Sequence, residues 1–146
     1  MPQSNVAVTL HQLVHELDRA ADALLRREFG MTHSQFQFLA TLLDAEQLSV
    51  TGLARALGVS KAAVSKRAPW FVHRGYVGVS HDLVGARTLV LSATPKGAKF
   101  VTKAEALLQS EFESLSGFMP KPEMTQLGQS LEALLTLARA FAVSER

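Results

Sequence analysis

The chain has 146 residues, with 15 Lys and Arg against 13 Asp and Glu, five His and no Cys. That length suits one domain, or one compact domain with a small helical appendage, and 47% apolar against 19% charged residues excludes a disordered polar tract. Without Cys there are no disulfides, thiolate zinc sites or cysteine redox sensors, which fits a cytoplasmic protein.

No apolar run approaches the roughly 18 residues of a membrane helix, so no membrane span is expected. The opening MPQSNVAVTLHQL has no basic stretch followed by an apolar block, so no secretory signal is expected either. The net charge of +2 conceals an uneven layout. Between Arg55 and Lys103 stand nine Lys and Arg and a single acid, Asp82, whereas the remaining residues hold six bases and twelve acids. A basic middle with acidic flanks suggests an anion-binding module, nucleic acid being the commonest large anion. On charge alone, a solvated Lys-rich helical surface fits as well.

In chain order, residues 4–28 read as one long helix, with Leu10, Leu13, Leu17, Ala20 and Leu24 on one stripe and Gly30 ending it. Thr32-His-Ser-Gln35 has the form of a capping box and opens a helix to about Asp44, with Phe36, Leu39, Leu42 and Leu43 on its buried face. Ser49 caps a short helix from Val50 to Leu57. Gly58-Val59-Ser60 breaks it, and Ser60 caps another helix running to about His73. Tyr76–Ser80 and Arg87–Leu91 read as an antiparallel hairpin across a turn-rich connection. Thr94-Pro95 starts a helix to about Ser116, and Pro122-Glu123 opens a last one to about Val143. In that last helix Leu127, Leu131, Leu134, Ala138 and Phe141 follow a heptad-like spacing.

Two short helices joined by a tight glycine turn, over Leu53 to Arg67, describe a helix-turn-helix. Ala54 is small where helices cross, Gly58 permits the turn, and Val59 and Val64 are expected to fill the space between. The second helix would then present Ser60, Lys61, Ala62, Ser65 and Lys66, short and basic groups suited to a major groove. Pro69 falls within this helix and predicts either a kink or an earlier end. Trp70 and Phe71 are expected to pack inward.

Taken in order, Thr32-His-Ser-Gln35, Leu53-Ala-Arg-Ala-Leu-Gly-Val-Ser-Lys-Ala-Ala-Val-Ser-Lys66, Gly75-Tyr-Val77, Asp82 with Arg87, and Leu91-Ser-Ala-Thr-Pro-Lys-Gly97 resemble the MarR family (multiple antibiotic resistance regulators) over about residues 5–140. The resemblance implies a mainly α, winged helix-turn-helix regulator with a two-stranded β-wing, working as a homodimer on double-stranded DNA. Residues 1–30 and 101–146 would be the dimerisation helices and 31–100 the DNA-binding lobe. Two recognition helices would then address half-sites on the order of 34 Å apart on a palindromic operator.

The family's wing carries Asp-x-x-Asp-x-Arg, whose Arg enters the minor groove. Here Asp82 and Arg87 occupy the outer positions and Gly85 replaces the second Asp. A guanidinium suits a narrow groove of enhanced negative potential, and pairing with Asp82 is the alternative use of Arg87. Arg67, Arg74 and Lys96 are expected on the DNA backbone.

The resemblance also implies a small aromatic or phenolic effector. Helix faces suggest His15, Arg19, Phe36 and Trp70 as its wall. His11 and His15 share a helix face, but no further ligand accompanies them, so no metal or other cofactor is expected. No phosphate loop, nucleophile elbow or metalloprotease helix is present, which argues against an enzyme. The alternative to a DNA-binding regulator is a winged-helix module that binds protein.

Overall fold

A computed structural model describes residues 5–81 and 88–144. The elements run α1 (Val6–Phe29), α2 (His33–Ala45), β1 (Leu48–Ser49), α3 (Val50–Leu57), α4 (Lys61–His73), β2 (Val77–His81), β3 (Leu89–Ala93), α5 (Pro95–Ser116) and α6 (Lys121–Ser144). The expectations placed on Asp82, Gly85 and Arg87 lie outside the described residues. Among the described residues no helix is long and apolar enough to cross a membrane.

The helix starts follow from short polar caps. The Asn5 side chain accepts from the Ala7 and Val8 amides, and Thr32 and Gln35 form a complete capping box. Ser49 accepts from Gly52 at 3.0 Å, Ser60 from Ala63 at 3.1 Å, and the Thr94 hydroxyl from Gly97 at 3.1 Å. Each side-chain oxygen takes an amide that the first helical turn leaves without a partner.

The wing hairpin is antiparallel, with Val77 opposite Ala93 and His81 opposite Leu89. The sheet has three strands rather than the expected two: β1 joins the outer side of β3, with Leu48 opposite Leu91 and Ser49 opposite Val90. Two residues are too few to show an alternating pattern, and Ser49 already reads as a helix cap.

The chain divides into two units, one ending at Leu108 and one beginning at Gln109. In the first, a core of Leu25, Phe38, Leu39, Leu42, Leu53, Val64, Phe71 and Val101 is closed to solvent. The rings of Phe38 and Phe71 stack at 4.1 Å and lock α2 against α4. Phe38 lies outside the expected face of α2, while Phe36 and Leu43 are only half-buried. A helix with neighbours on several sides has no single buried stripe, and α2 touches α1, α3 and β3.

Val59 also departs from expectation. It is 38% exposed in the turn, and of the two valines only Val64 is buried between the helices. The helix α4 continues through Pro69 to His73. Proline withholds the N–H that would bond the Ser65 carbonyl, and the buried Ala68 and Phe71 on either side hold the helix in place by packing.

On α1 only Leu25 is buried; of the expected stripe Leu10, Leu17 and Leu24 are half-buried, while Leu13 and Ala20 are exposed. The second unit holds the end of α5, a turn over 117–120 and α6. No described residue of α6 is buried, and Leu127, Leu131, Leu134 and Phe141 all face solvent.

Candidate nucleic-acid interface

The helix-turn-helix is built from α3 and α4. Leu53 and Ala54 on α3 and Val64 on α4 are buried between them. Gly58 ends α3 at φ 67°, a left-handed conformation that side chains with a Cβ adopt at a cost, and this turns the chain sharply into Ser60. Burial of Val64, Ala68 and Phe71 orients the opposite side of α4 to solvent.

On that outer side Ser60, Lys61, Ala62, Ser65 and Lys66 are all exposed, as the sequence predicts. Lys61 and Lys66 form no ion pair among the described residues, and the first turn of α4 contains no acid. Ser60 uses its oxygen on the Ala63 amide and keeps its O–H to donate. The arrangement offers two ammonium groups, small side chains and a positive helix end to an anion.

The three cations expected on the DNA backbone sit differently. Arg67 donates through Nη2 to the Ser34 carbonyl (3.1 Å) and hydroxyl (2.7 Å), and its guanidinium lies 5.4 Å from the Phe38 ring centre. Arg74 lies over the Trp70 ring at 4.2 Å. Lys96 donates to the Arg74 carbonyl at 2.7 Å and rests 4.6 Å from the centre of the Tyr76 ring. All three are engaged within the protein.

The expected effector residues are not gathered in one place. His15 and Arg19 are exposed on α1, and Arg19 pairs with Glu16 at 3.3 Å. Phe36 is half-buried, stacked on His33 and edge-on to Phe100. Trp70 meets Phe71 edge-on and Tyr76 face-on. A file of rings, Phe36, Phe100, Tyr76 and Trp70, with centres 6.0 to 6.4 Å apart, links the two aromatic members. Neither His15 nor Arg19 bonds to it. Among the described residues no three His, Asp or Glu side chains form a metal-binding group.

Sequence reasoning missed Asp22. Its carboxylate accepts the His33 amide at 2.9 Å and Arg26 Nε at 2.6 Å, joining α1 to the first turn of α2. The His33 amide foremost, and then the Arg26 guanidinium, hold its pKa below the usual carboxylate range. A depressed folded-state pKa contributes stability above the ordinary carboxylate pKa and loses it as pH falls through the depressed value. The urea midpoint is therefore expected to drop from neutral pH to about pH 3 by more in the native chain than in Asp22→Asn. Equal drops would remove Asp22 from the acid response. No spacing rule in the sequence marks a contact eleven residues away.

Together α2, α3, α4 and the hairpin define a winged helix-turn-helix. Residues 29–82 match the family model described as the MarR family, so the resemblance holds over the segment containing α2, α3, α4 and the first wing strand. No curated protein matches the chain.

Among solved structures, wild-type apo MarR from E. coli has 21% identity and a TM-score of 0.80, covering 89% of this chain and 96% of that one. MepR, a transcription regulator of the Staphylococcus aureus multidrug efflux pump MepA, has 20% identity and a TM-score of 0.74, covering 92% and 98%. A mutant E. coli MarR complexed with operator DNA has 22% identity and a TM-score of 0.68, covering 92% and 99%. The chain has the fold of these winged-helix proteins.

Proposed function

We propose that the chain is a MarR-family transcriptional regulator, a homodimeric repressor binding a palindromic operator in double-stranded DNA. The observation that carries this reading is the outer side of α4, where Ser60, Lys61, Ala62, Ser65 and Lys66 stand exposed at an acid-free helix start. The MarR family match and the fold shared with an operator-bound MarR support it. In this reading residues 31–100 read DNA while 1–30 and 101–146 pair with a second copy.

Pairing would cover the apolar stripes that α1 and α6 each leave open. Size-exclusion chromatography with light scattering is expected to give a dimer at micromolar concentration. A stable monomer would remove the two-half-site mechanism.

Selection of genomic fragments by the purified protein tests the reading as a whole. The expected outcome is a symmetric site bound with an affinity that falls steeply with salt. Fragments recovered without any shared sequence would reject it, and salt-insensitive capture of a protein instead would favour the interaction module. Arg87→Ala is expected to weaken binding to the selected site about tenfold or more, with the loss concentrated on sites of narrow minor groove. Unchanged affinity would dismiss its groove role.

The resemblance also brings the expectation of a small aromatic or phenolic effector that releases the DNA, with His15, Arg19, Phe36 and Trp70 as its wall. The file of rings from Phe36 to Trp70 supports an aromatic surface there. Alanine at His15 and Arg19 together is expected to blunt release of the selected DNA by salicylate; undiminished release would exclude both.

A further inference from the structure

We propose that Arg67 and Lys96 are positioning residues that hold the recognition helix at its reading angle, and are not contacts to phosphate. The inference rests on the DNA-binding reading above. Pro69 interrupts the hydrogen-bond ladder of α4, so its two halves need separate support. The two cations stand on either side of that weak point.

On the N-terminal side, Arg67 reaches across to the first turn of α2. One guanidinium nitrogen serves both the carbonyl and the hydroxyl of Ser34, and the Phe38 ring beneath it belongs to the core. The Ser34 amide neighbour, His33, is itself held by Asp22 of α1. Arg67 thus ties the reading half of α4 to an already fixed helix start.

On the C-terminal side, Arg74 is the last residue to cap α4, and its carbonyl has lost its helical partner. Lys96 donates to that carbonyl from the start of α5, where positive charge also opposes the negative helix end. Its ammonium lies against Tyr76, which leads into the first wing strand. To reach phosphate, Arg67 would abandon two hydrogen bonds and a ring face, and Lys96 would expose an unpaired carbonyl.

Salt dependence separates the two roles. A removed phosphate contact lowers the slope of log affinity against log salt by about 0.9, hence by about 1.8 in a dimer, and weakens every duplex alike. A removed positioning contact weakens the specific site and leaves the slope in place.

The probes are a duplex selected from a random pool by the wild-type protein and a shuffled duplex of equal length. Arg67→Met and Lys96→Met are each expected to lower affinity for the selected duplex about tenfold, with unchanged slope and unchanged binding to the shuffled one. Ser34→Ala removes a partner of Arg67 without removing a cation, keeps the fold safe, and is expected to act in the same direction. Arg67→Lys should fail to restore specific affinity, because an ammonium lacks the planar fork.

A slope reduced by about 1.8, equal losses on both duplexes, or wild-type affinity in Arg67→Met, Lys96→Met and Ser34→Ala would overturn the proposal. Absence of any specific binding by the wild-type protein would instead reject the DNA-binding reading beneath it.

Discussion

Replacing Lys61 and Lys66 together by alanine is expected to weaken DNA binding about 100- to 1,000-fold at physiological salt. Both side chains stand on the outer side of α4 without an ion pair among the described residues, so neither has an internal role to disturb. In the proposed dimer the double substitution withdraws four cations from one duplex. Each phosphate neutralised releases about 0.9 counterion, so the salt slope should fall by about 3.6. Alanine also suits an exposed helix position, and the melting temperature should hold within a few degrees. A titration series from low to high salt checks both numbers. A double variant that keeps its slope would show that α4 does not face the duplex.

Gly97→Ala is expected to destabilise the fold by about 3 kcal/mol or more, lowering the melting temperature by about 10 °C. A Cβ at Gly97 would run into the Tyr76 carbonyl oxygen, a backbone atom rather than a flexible side chain. That carbonyl is held where it is: it accepts the Thr94 amide at 3.0 Å, while the Thr94 hydroxyl bonds the Gly75 carbonyl next door.

Neither the start of α5 nor the start of β2 can move away without breaking these bonds. Because Lys96 braces α4 from the same turn, the variant should lose specific DNA affinity as well. Thermal melting followed by circular dichroism, with and without the selected duplex, measures the two effects. A shift below about 3 °C would mean that the junction yields more readily than its bonds suggest.

The contrast between these two positions shows what was legible beforehand. Lys61 and Lys66 can be placed on the outer side of α4 because helix periodicity and the cap at Ser60 are local properties. Gly97 could be noticed within Thr94-Pro-Lys-Gly, but its need for a missing Cβ depends on Tyr76, a residue brought near by the hairpin. Burial of Phe38 depends on distant residues for a related reason. A single-stripe reading of α2 cannot show that the helix is enclosed on more than one side, with Phe38 stacked on Phe71 of α4. The apolar character of Val59 suggests a place between the two helices, whereas the turn at Gly58 carries it outward.

The amino-acid sequence alone determined the helix starts, the helix-turn-helix, its outward side chains and the concentration of basic charge in the middle of the chain. Those features depend on groups within a few residues of one another, where spacing and capping decide the outcome. Tertiary structure decided which of the basic side chains have partners inside the protein. Arg67 meets Ser34 across 33 residues and Lys96 meets the Arg74 carbonyl across 22, and such partners are set only when the helices pack. Among the described residues the basic segment therefore combines exposed cations without an ion pair, Lys61 and Lys66, with cations bonded across the fold, Arg67 and Lys96. Their difference is one of long-range geometry, to which composition and periodicity are blind.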